Sequence, residues 1–263
     1  MTSDMFRLDG KVVAVVGAGG GIGEGVALAV GAQGAHVACL DIHAANAAAV
    51  AETIRAAGGK AESAALDLGD EAQINAAFDG LVRTHGRFDG LVCTPAINVR
   101  KPILRYTLAE FDKVVNLNLR GNFAALMTAG RIMTAQKSGS IVLFSSIRSI
   151  VTEPGQSVYS MTKAGILQLA KTAAVEWGTL GVRVNAVGPG VVETPLTAPI
   201  KANAEWYNAY AMKNPMNRWA HAAEMAGPTV FLLSDAASYV TGTILYADGG
   251  WLAADGRFTP PGM

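Results

Sequence analysis

Tyr159 and Lys163 stand four residues apart within a helical pattern. That spacing places both on one helix face, one turn apart. A phenol titrates near about 10 and is a poor base at neutral pH. A nearby ammonium favours the phenolate and lowers that value. Such a pair can exchange a proton with an alcohol or a carbonyl oxygen. Alone, Tyr-x-x-x-Lys is common and means little. Ser146 closes a predicted strand at Ser145-Ser146, on the edge where parallel sheets hold their ligands. Asn118 lies inside a helical pattern, where a polar amide is mildly unfavourable. Taken singly, it reads as an exposed helix residue.

A second group of residues could hold an anion. Gly17-Ala18-Gly19-Gly20-Gly21-Ile22-Gly23 lies between a predicted strand and a predicted helix. Glycines there let the backbone turn tightly and approach a pyrophosphate, and the N–H groups of the helix start face the anion. Asp41 ends the second strand, where its carboxylate can accept from both hydroxyls of an adenosine ribose. It would repel a 2′-phosphate, and no Arg or Lys stands beside it, so the pattern favours NAD over NADP. The competing reading of Asp41 is a helix cap or turn residue. Asp67 ends the third strand in the same way and reads equally well as an adenine contact or an N-cap.

These residues need a scaffold that brings strand ends to one edge. The pattern predicts strands over Lys11 to Gly17, Ala35 to Asp41, Ala61 to Asp67, Phe88 to Thr94, Gly139 to Ser145, Val182 to Gly188 and Thr243 to Ala247. It predicts helices over Ile22 to Gln33, Ala44 to Ala57, Glu71 to Thr84, Leu108 to Gln136, Gln156 to Trp177 and Ala222 to Ser234. Alternating apolar strands and helices imply an α/β fold, a Rossmann-like doubly wound parallel sheet of seven strands with helices on both faces. No linker composition appears, so residues 1–263 read as a single domain. One irregular segment, about residues 189–221, reads as a substrate lid.

Composition excludes several classes. The 263 residues carry 21 Lys plus Arg against 21 Asp plus Glu, and 51% are hydrophobic. Disorder and a basic nucleic-acid surface are both disfavoured. No run of about 18 apolar residues predicts a membrane span, and the first ten residues show no secretory signal. Cys39 and Cys93 both fall in apolar strands, which suits a reducing cytoplasm rather than a disulfide framework. His36, His43, His85 and His221 show no metal-ligand spacing, so no metal site is expected.

The ordered motifs resemble the short-chain dehydrogenase/reductase family, in its compact single-domain form. Gly17, Gly21, Ile22 and Gly23 match its glycine motif. Asn118, Ser146 and the Tyr159–Lys163 pair match its catalytic set. Gly188-Pro189-Gly190 with Thr194, Thr241-Gly242 and Asp248-Gly249-Gly250 complete the match over nearly the whole chain. The resemblance implies reversible oxidation of a secondary alcohol to a ketone, with NAD as the hydride acceptor. It implies that Tyr159 is the acid/base and that Lys163 binds the nicotinamide ribose and lowers the Tyr159 pKa. It further implies that Ser146 holds the substrate oxygen and that Asn118 supports a water in a proton relay. Val192 and Thr194 would meet the nicotinamide carboxamide, with Pro189 and Gly190 beside them. Asp67 and Leu68 would hold the adenine, and Ile42 would lie next to Asp41. Two departures stand out: Val16 replaces the usual Thr, and Cys93-Thr94-Pro95-Ala96 replaces Asn-Asn-Ala-Gly. Pro95 has no N–H to donate and Ala96 restricts φ, which weakens the contact carried over to Thr94.

Substrate is less legible. Arg148 and Glu153 lie between Ser146 and Tyr159, and Arg100, Trp206, Tyr207 and Tyr210 lie in loops expected to face the pocket. Polar groups there suit a polyol, a sugar or a sugar acid, and an Arg could pair with a carboxylate. The competing reading makes Arg148 and Glu153 a loop salt bridge and the aromatics lid residues packed on the core. Other readings are a 3-oxoacyl or hydroxysteroid-type reductase, a non-catalytic nucleotide sensor, and an S-adenosylmethionine-dependent methyltransferase. Tyr159, Lys163 and Ser146 have no purpose in the last. Only 16% of residues are charged, against about 25% ordinarily. With the long, lightly charged helices and the resemblance, this predicts a homotetramer, with the apolar tail 251–263 reaching toward a neighbour.

Overall fold

The computed structural model describes residues 4–254 and Gly256. Along the chain run β1 (Val12–Val16), α1 (Gly21–Ala32), β2 (His36–Asp41), α2 (Ala44–Ala56), β3 (Lys60–Ala65), α3 (Glu71–His85), β4 (Gly90–Cys93) and α4 (Leu108–Val115). A π-helical turn (Asn116–Gly121) joins α4 to α5 (Asn122–Gln136). Then follow β5 (Gly139–Phe144), α6 (Ser157–Trp177), β6 (Val182–Pro189), β7 (Val192–Glu193), α7 (Ala198–Lys201), α8 (Ala204–Ala211), β8 (Ala220–His221), α9 (Ala226–Leu233) and β9 (Ile244–Ala247).

Seven strands form one sheet in the order β3-β2-β1-β4-β5-β6-β9. Every neighbouring pair is parallel. This is the doubly wound sheet that the alternating pattern predicts. The central strands are apolar because both of their faces are covered. One face carries a core of Phe78, Leu91, Ile141, Leu143 and Ile166. The other carries Val15, Val26, Val37, Val142 and Leu232. Because every pairing is parallel, the C-terminal ends of all seven strands lie at the same edge. The chain order reverses between β1 and β4, which opens a crevice there.

Three expectations are corrected. The helix predicted from Leu108 to Gln136 is interrupted by the π turn, whose wider ring rotates Asn118 inward until it is fully buried. Residues 189–221 are not irregular: α7, α8 and the paired β7 and β8 lie within them. Periodicity missed these elements because each is eight residues or shorter. The third strand is not apolar either. Its sequence, Lys60-Ala-Glu-Ser-Ala-Ala65, is that of a sheet edge, and most of it is exposed. Most of the tail 251–263 lies outside the described residues.

Candidate active site

The glycine turn leaves β1 and opens α1 beside the crevice. At Gly17 φ is +83°, and a Cβ there would sit 2.5 Å from Thr94 Oγ1. Gly23 is tighter, since its Cβ would fall 1.9 Å from the Gly17 carbonyl oxygen. Both positions therefore require glycine. Gly20 caps α1 with no side-chain bond, which leaves first-turn N–H groups available to an anion. Residues Gly17 to Gly23, Ala18 excepted, line a cleft of ≈ 560 Å³.

Asp41, Ile42, Asp67, Leu68 and Thr94 line the same cleft, as do Pro189, Gly190, Val192 and Thr194. The Asp41 carboxylate accepts from Gly19 N and His43 N, each at 2.9 Å. Those bonds aim it at the cleft from the end of β2. Asp67 Oδ1 accepts from Gly69 N at 2.7 Å, so it also shapes its own turn. Thr94 Oγ1 donates to the Val16 carbonyl at 3.0 Å. The unusual Thr94-Pro95 pair thus packs directly against Gly17 and keeps the turn in place.

Ser146, Tyr159 and Lys163 line the cleft's other end. α6 presents the last two from one face. Lys163 is 3% exposed, and its Nζ donates to the Phe144 carbonyl at 2.8 Å. Burial without a charged partner brings its pKa down to about 8. Its Nζ lies 5.6 Å from the centre of the Tyr159 ring. Enclosure pushes the Tyr159 phenol above its usual value, while the Ser146 hydroxyl, Arg148 and Arg100 pull it down. In this chain the downward pull comes from the serine and two arginines.

The Asn118 side chain is engaged by the Ile97 backbone and the Thr162 hydroxyl. Its Oδ1 accepts from Ile97 N at 2.8 Å, and its Nδ2 donates to the Ile97 carbonyl at 2.8 Å and to Thr162 Oγ1 at 3.2 Å. It ties the loop after β4 to α6 and does not line the cleft.

None of Arg148, Glu153, Trp206 and Tyr207 lines the cleft. They form a packed cluster beside it. Arg148 is 6% exposed and pairs with Glu153 Oε2 at 2.8 Å. Arg100 meets Glu153 Oε1 at 2.7 Å, and the Tyr210 hydroxyl donates to the same oxygen. Burial raises the Glu153 pKa, yet bonds from Tyr210 and Arg100 and the Arg148 charge outweigh it, so the net shift is downward. Arg148 also lies 5.5 Å from the Trp251 ring, and Arg100 covers the Trp206 ring at 4.7 Å. Tyr207 stacks on Trp219 at 5.0 Å. The aromatics pack because their area is worth more buried against one another than spread over the cleft mouth.

Sequence reasoning missed Phe144 and Ser145, which hold Lys163: the Ser145 hydroxyl donates to the Lys163 carbonyl at 2.8 Å. A backbone carbonyl as partner leaves no sequence signal. It also missed Asn46 and His43 at the Asp41 end.

The residues fit a nicotinamide dinucleotide: a glycine cradle with no room for a Cβ at Gly17, Gly19 or Gly23, an anion-ready helix start, an acidic residue at the second strand end and a Tyr–Lys pair in one cleft. Comparison with known proteins agrees. The family model described as enoyl-(acyl carrier protein) reductase matches residues 17–252. Levodione reductase of Leifsonia aquatica is 36% identical, over 96% of this chain and 98% of its own. The 3-oxoacyl-acyl-carrier-protein reductase of Thermotoga maritima is 35% identical over 93% and 99%. The structure of a gluconate 5-dehydrogenase from Burkholderia cenocepacia, with NADP and tartrate, superposes with a TM-score of 0.92 at 31% identity, covering 95% and 98%. Nearly full-length relatives, the close superposition and the ordered motifs lead to one conclusion: the chain belongs to the short-chain dehydrogenase/reductase family, whose members are oxidoreductases using a nicotinamide nucleotide.

Proposed function

We propose that this protein interconverts a secondary alcohol and a ketone on a small polar substrate, a polyol, a sugar or a sugar acid, and prefers NAD to NADP. One observation carries the chemistry: Ser146, Tyr159 and Lys163 line the same cleft as the glycine turn. The Tyr159 phenolate takes the hydroxyl proton in oxidation and returns it in reduction. Ser146 holds the substrate oxygen. Lys163 places its ammonium beneath the phenol ring and reaches the ribose side of the cleft. A bound nicotinamide nucleotide supplies the hydride acceptor or donor. Asn118 acts as a positioning residue through Ile97, from within the π turn. Gly17, Gly21, Ile22 and Gly23 hold the pyrophosphate, while Ile42, Asp67 and Leu68 flank the adenosine. Thr94 supports the turn, and Pro189, Gly190, Val192 and Thr194 form the nicotinamide end.

The preference for NAD rests on Asp41. Its neighbours in the cleft are Ile42, His43 and Asn46, and Lys163 at the other end is the one Lys or Arg lining the cleft among the described residues. A 2′-phosphate would meet a carboxylate and no guanidinium there. The substrate reading rests on charge. Arg100 and Arg148 share the single carboxylate of Glu153, which leaves one net positive charge in the cluster near Tyr159 and attracts a polar or anionic substrate. The gluconate 5-dehydrogenase likeness supports it. A second reading, reduction of a 3-oxoacyl thioester, is supported by the Thermotoga maritima relative.

We also place residues 1–263 in one domain, with α7 and α8 as a lid, in the cytoplasm and in a homotetramer. Among the described residues no helix is long and apolar enough to cross a membrane. Leu108, Phe123, Met127, Met161 and Val175, all on α4 to α6, are exposed and apolar, which supports burial of that face against another subunit.

Tyr159→Phe tests the chemistry. It should keep NADH binding by fluorescence titration and lose turnover by about 10²–10⁴-fold; wild-type turnover would sink the assignment. A screen of polyols, sugar acids, steroids and 3-oxoacyl thioesters tests the substrate, and activity confined to lipophilic ketones would defeat the polar reading.

A further inference from the structure

His36, Glu62 and His85 lie far apart in the chain and meet at the end of the sheet opposite the cleft. His36 opens β2, Glu62 lies within β3 and His85 ends α3. The register sets His36 beside Lys60 and Ala38 beside Glu62. Side chains alternate along strands, so His36 and Glu62 share a face as diagonal neighbours. α3 covers that face and brings His85 to them with its last residue. None of the three lines the cleft, and Asp41 stands at the other end of β2.

The donor atoms converge on one point. The imidazole rings of His36 and His85 lie 4.2 Å apart, centre to centre. His85 Nε2 is 2.9 Å from Glu62 Oε1, and His36 Nε2 is 3.6 Å from the same oxygen. All three ligand atoms lie within 4.8 Å of one another. A hydrogen-bonded His85–Glu62 pair accounts for one ring only. At 3.6 Å the other is too distant for a hydrogen bond, and His36 Nε2 is buried with no hydrogen-bond partner. A buried ring nitrogen aimed at a carboxylate and a second imidazole is arranged as a ligand. The side chains remain 25%, 41% and 19% exposed, so an ion can enter.

We propose that His36, Glu62 and His85 bind a divalent transition-metal ion of the zinc class, with water in the remaining position. Two imidazole nitrogens and one carboxylate oxygen suit such ions, whereas magnesium and calcium prefer all-oxygen sites. Coordination requires neutral imidazole. The ion would tie the polar edge strand β3 to β2 and to the end of α3. Its role is structural, because the cleft residues lie at the far strand ends.

The test uses full-length, tag-free protein stripped with a chelator and titrated with zinc chloride calorimetrically. One ion per chain should bind saturably and raise Tm, with turnover unchanged. His36→Gln, Glu62→Gln and His85→Gln should each weaken binding at least about tenfold, and cobalt(II) should develop visible absorption in the parent chain alone. His36→Gln replaces a partly exposed residue, so it remains informative if another variant fails to fold. Absence of saturable zinc binding, binding unchanged in His36→Gln, or magnesium binding as tight as zinc would each overturn the site.

Discussion

Lys163 Nζ donates to the Phe144 carbonyl at 2.8 Å, and both groups are buried. The lysine of the candidate catalytic set is thus anchored to the end of β5 by a neutral oxygen rather than by a carboxylate. Its charge is desolvated and only partly compensated, and its pKa falls from the usual 10.5 to about 8. A group that titrates lower in the folded state than in the unfolded chain costs stability while both forms are protonated.

That cost predicts a stability gain on substitution. Below about pH 8 Lys163 is charged in both states, and the folded state bears the full penalty. Between about 8 and 10.5 the unfolded chain binds more protons, so stability rises with pH. The shift corresponds to about 3 kcal/mol. Lys163→Met should therefore abolish turnover and raise Tm by roughly 5–10 °C at pH 7, with the gain fading above pH 10. Calorimetry at both pH values decides it, and a lower Tm at pH 7 would contradict the argument.

Tyr159 should impose an alkaline rise on oxidation. Enclosure holds its pKa above the usual value. Oxidation needs the phenolate and should increase with pH, while reduction needs the phenol and should persist at lower pH. Steady-state rates in both directions against pH test this. An oxidation rate that falls between pH 7 and 9 would count against Tyr159 as the base.

Arg148 should act on Tyr159 at a distance. Its charge, with that of Arg100, lowers the phenol pKa. Arg148→Met should move the alkaline rise to higher pH and raise KM for a sugar acid about tenfold. Truncation also leaves Glu153 with one fewer cation, and breaking a buried pair costs about 3–5 kcal/mol, so Arg148→Lys serves as the folded control. A KM unchanged in both variants would leave the cluster a purely structural one.

Asp41 should set cofactor choice. Asp41→Ala removes the acceptor aimed from β2 and the repulsion of a 2′-phosphate, and kcat/KM should shift toward NADP by about tenfold or more. A higher kcat/KM with NADP in the unaltered protein would refute the assignment. Gly23→Ala should lose binding of either nucleotide, because its Cβ would fall 1.9 Å from the Gly17 oxygen.

Much of this was legible in the chain. Apolar runs of five to eight residues alternating with helical spacing carry the sheet, since burial on both faces demands them. Gly17 to Gly23, Asp41, Ser146, Tyr159 and Lys163 follow from local spacing at strand ends and on one helix face. Local periodicity cannot resolve short elements, so α7 and α8 look irregular in the sequence. Nor can it see the π turn, which a single extra residue per ring creates and which buries Asn118.

Residue types and order alone determined the sheet, the nucleotide turn and the Tyr–Lys pair, because each depends on neighbours within a few residues. Only the tertiary structure decided what each charge faces. It turned Arg148 and Glu153 onto each other and packed the lid aromatics together. It gave Lys163 a carbonyl as partner, and it brought His36, Glu62 and His85 to one point. Electrostatic partnership depends on distance in space, and strand register and helix packing set that distance across separations the sequence does not encode locally.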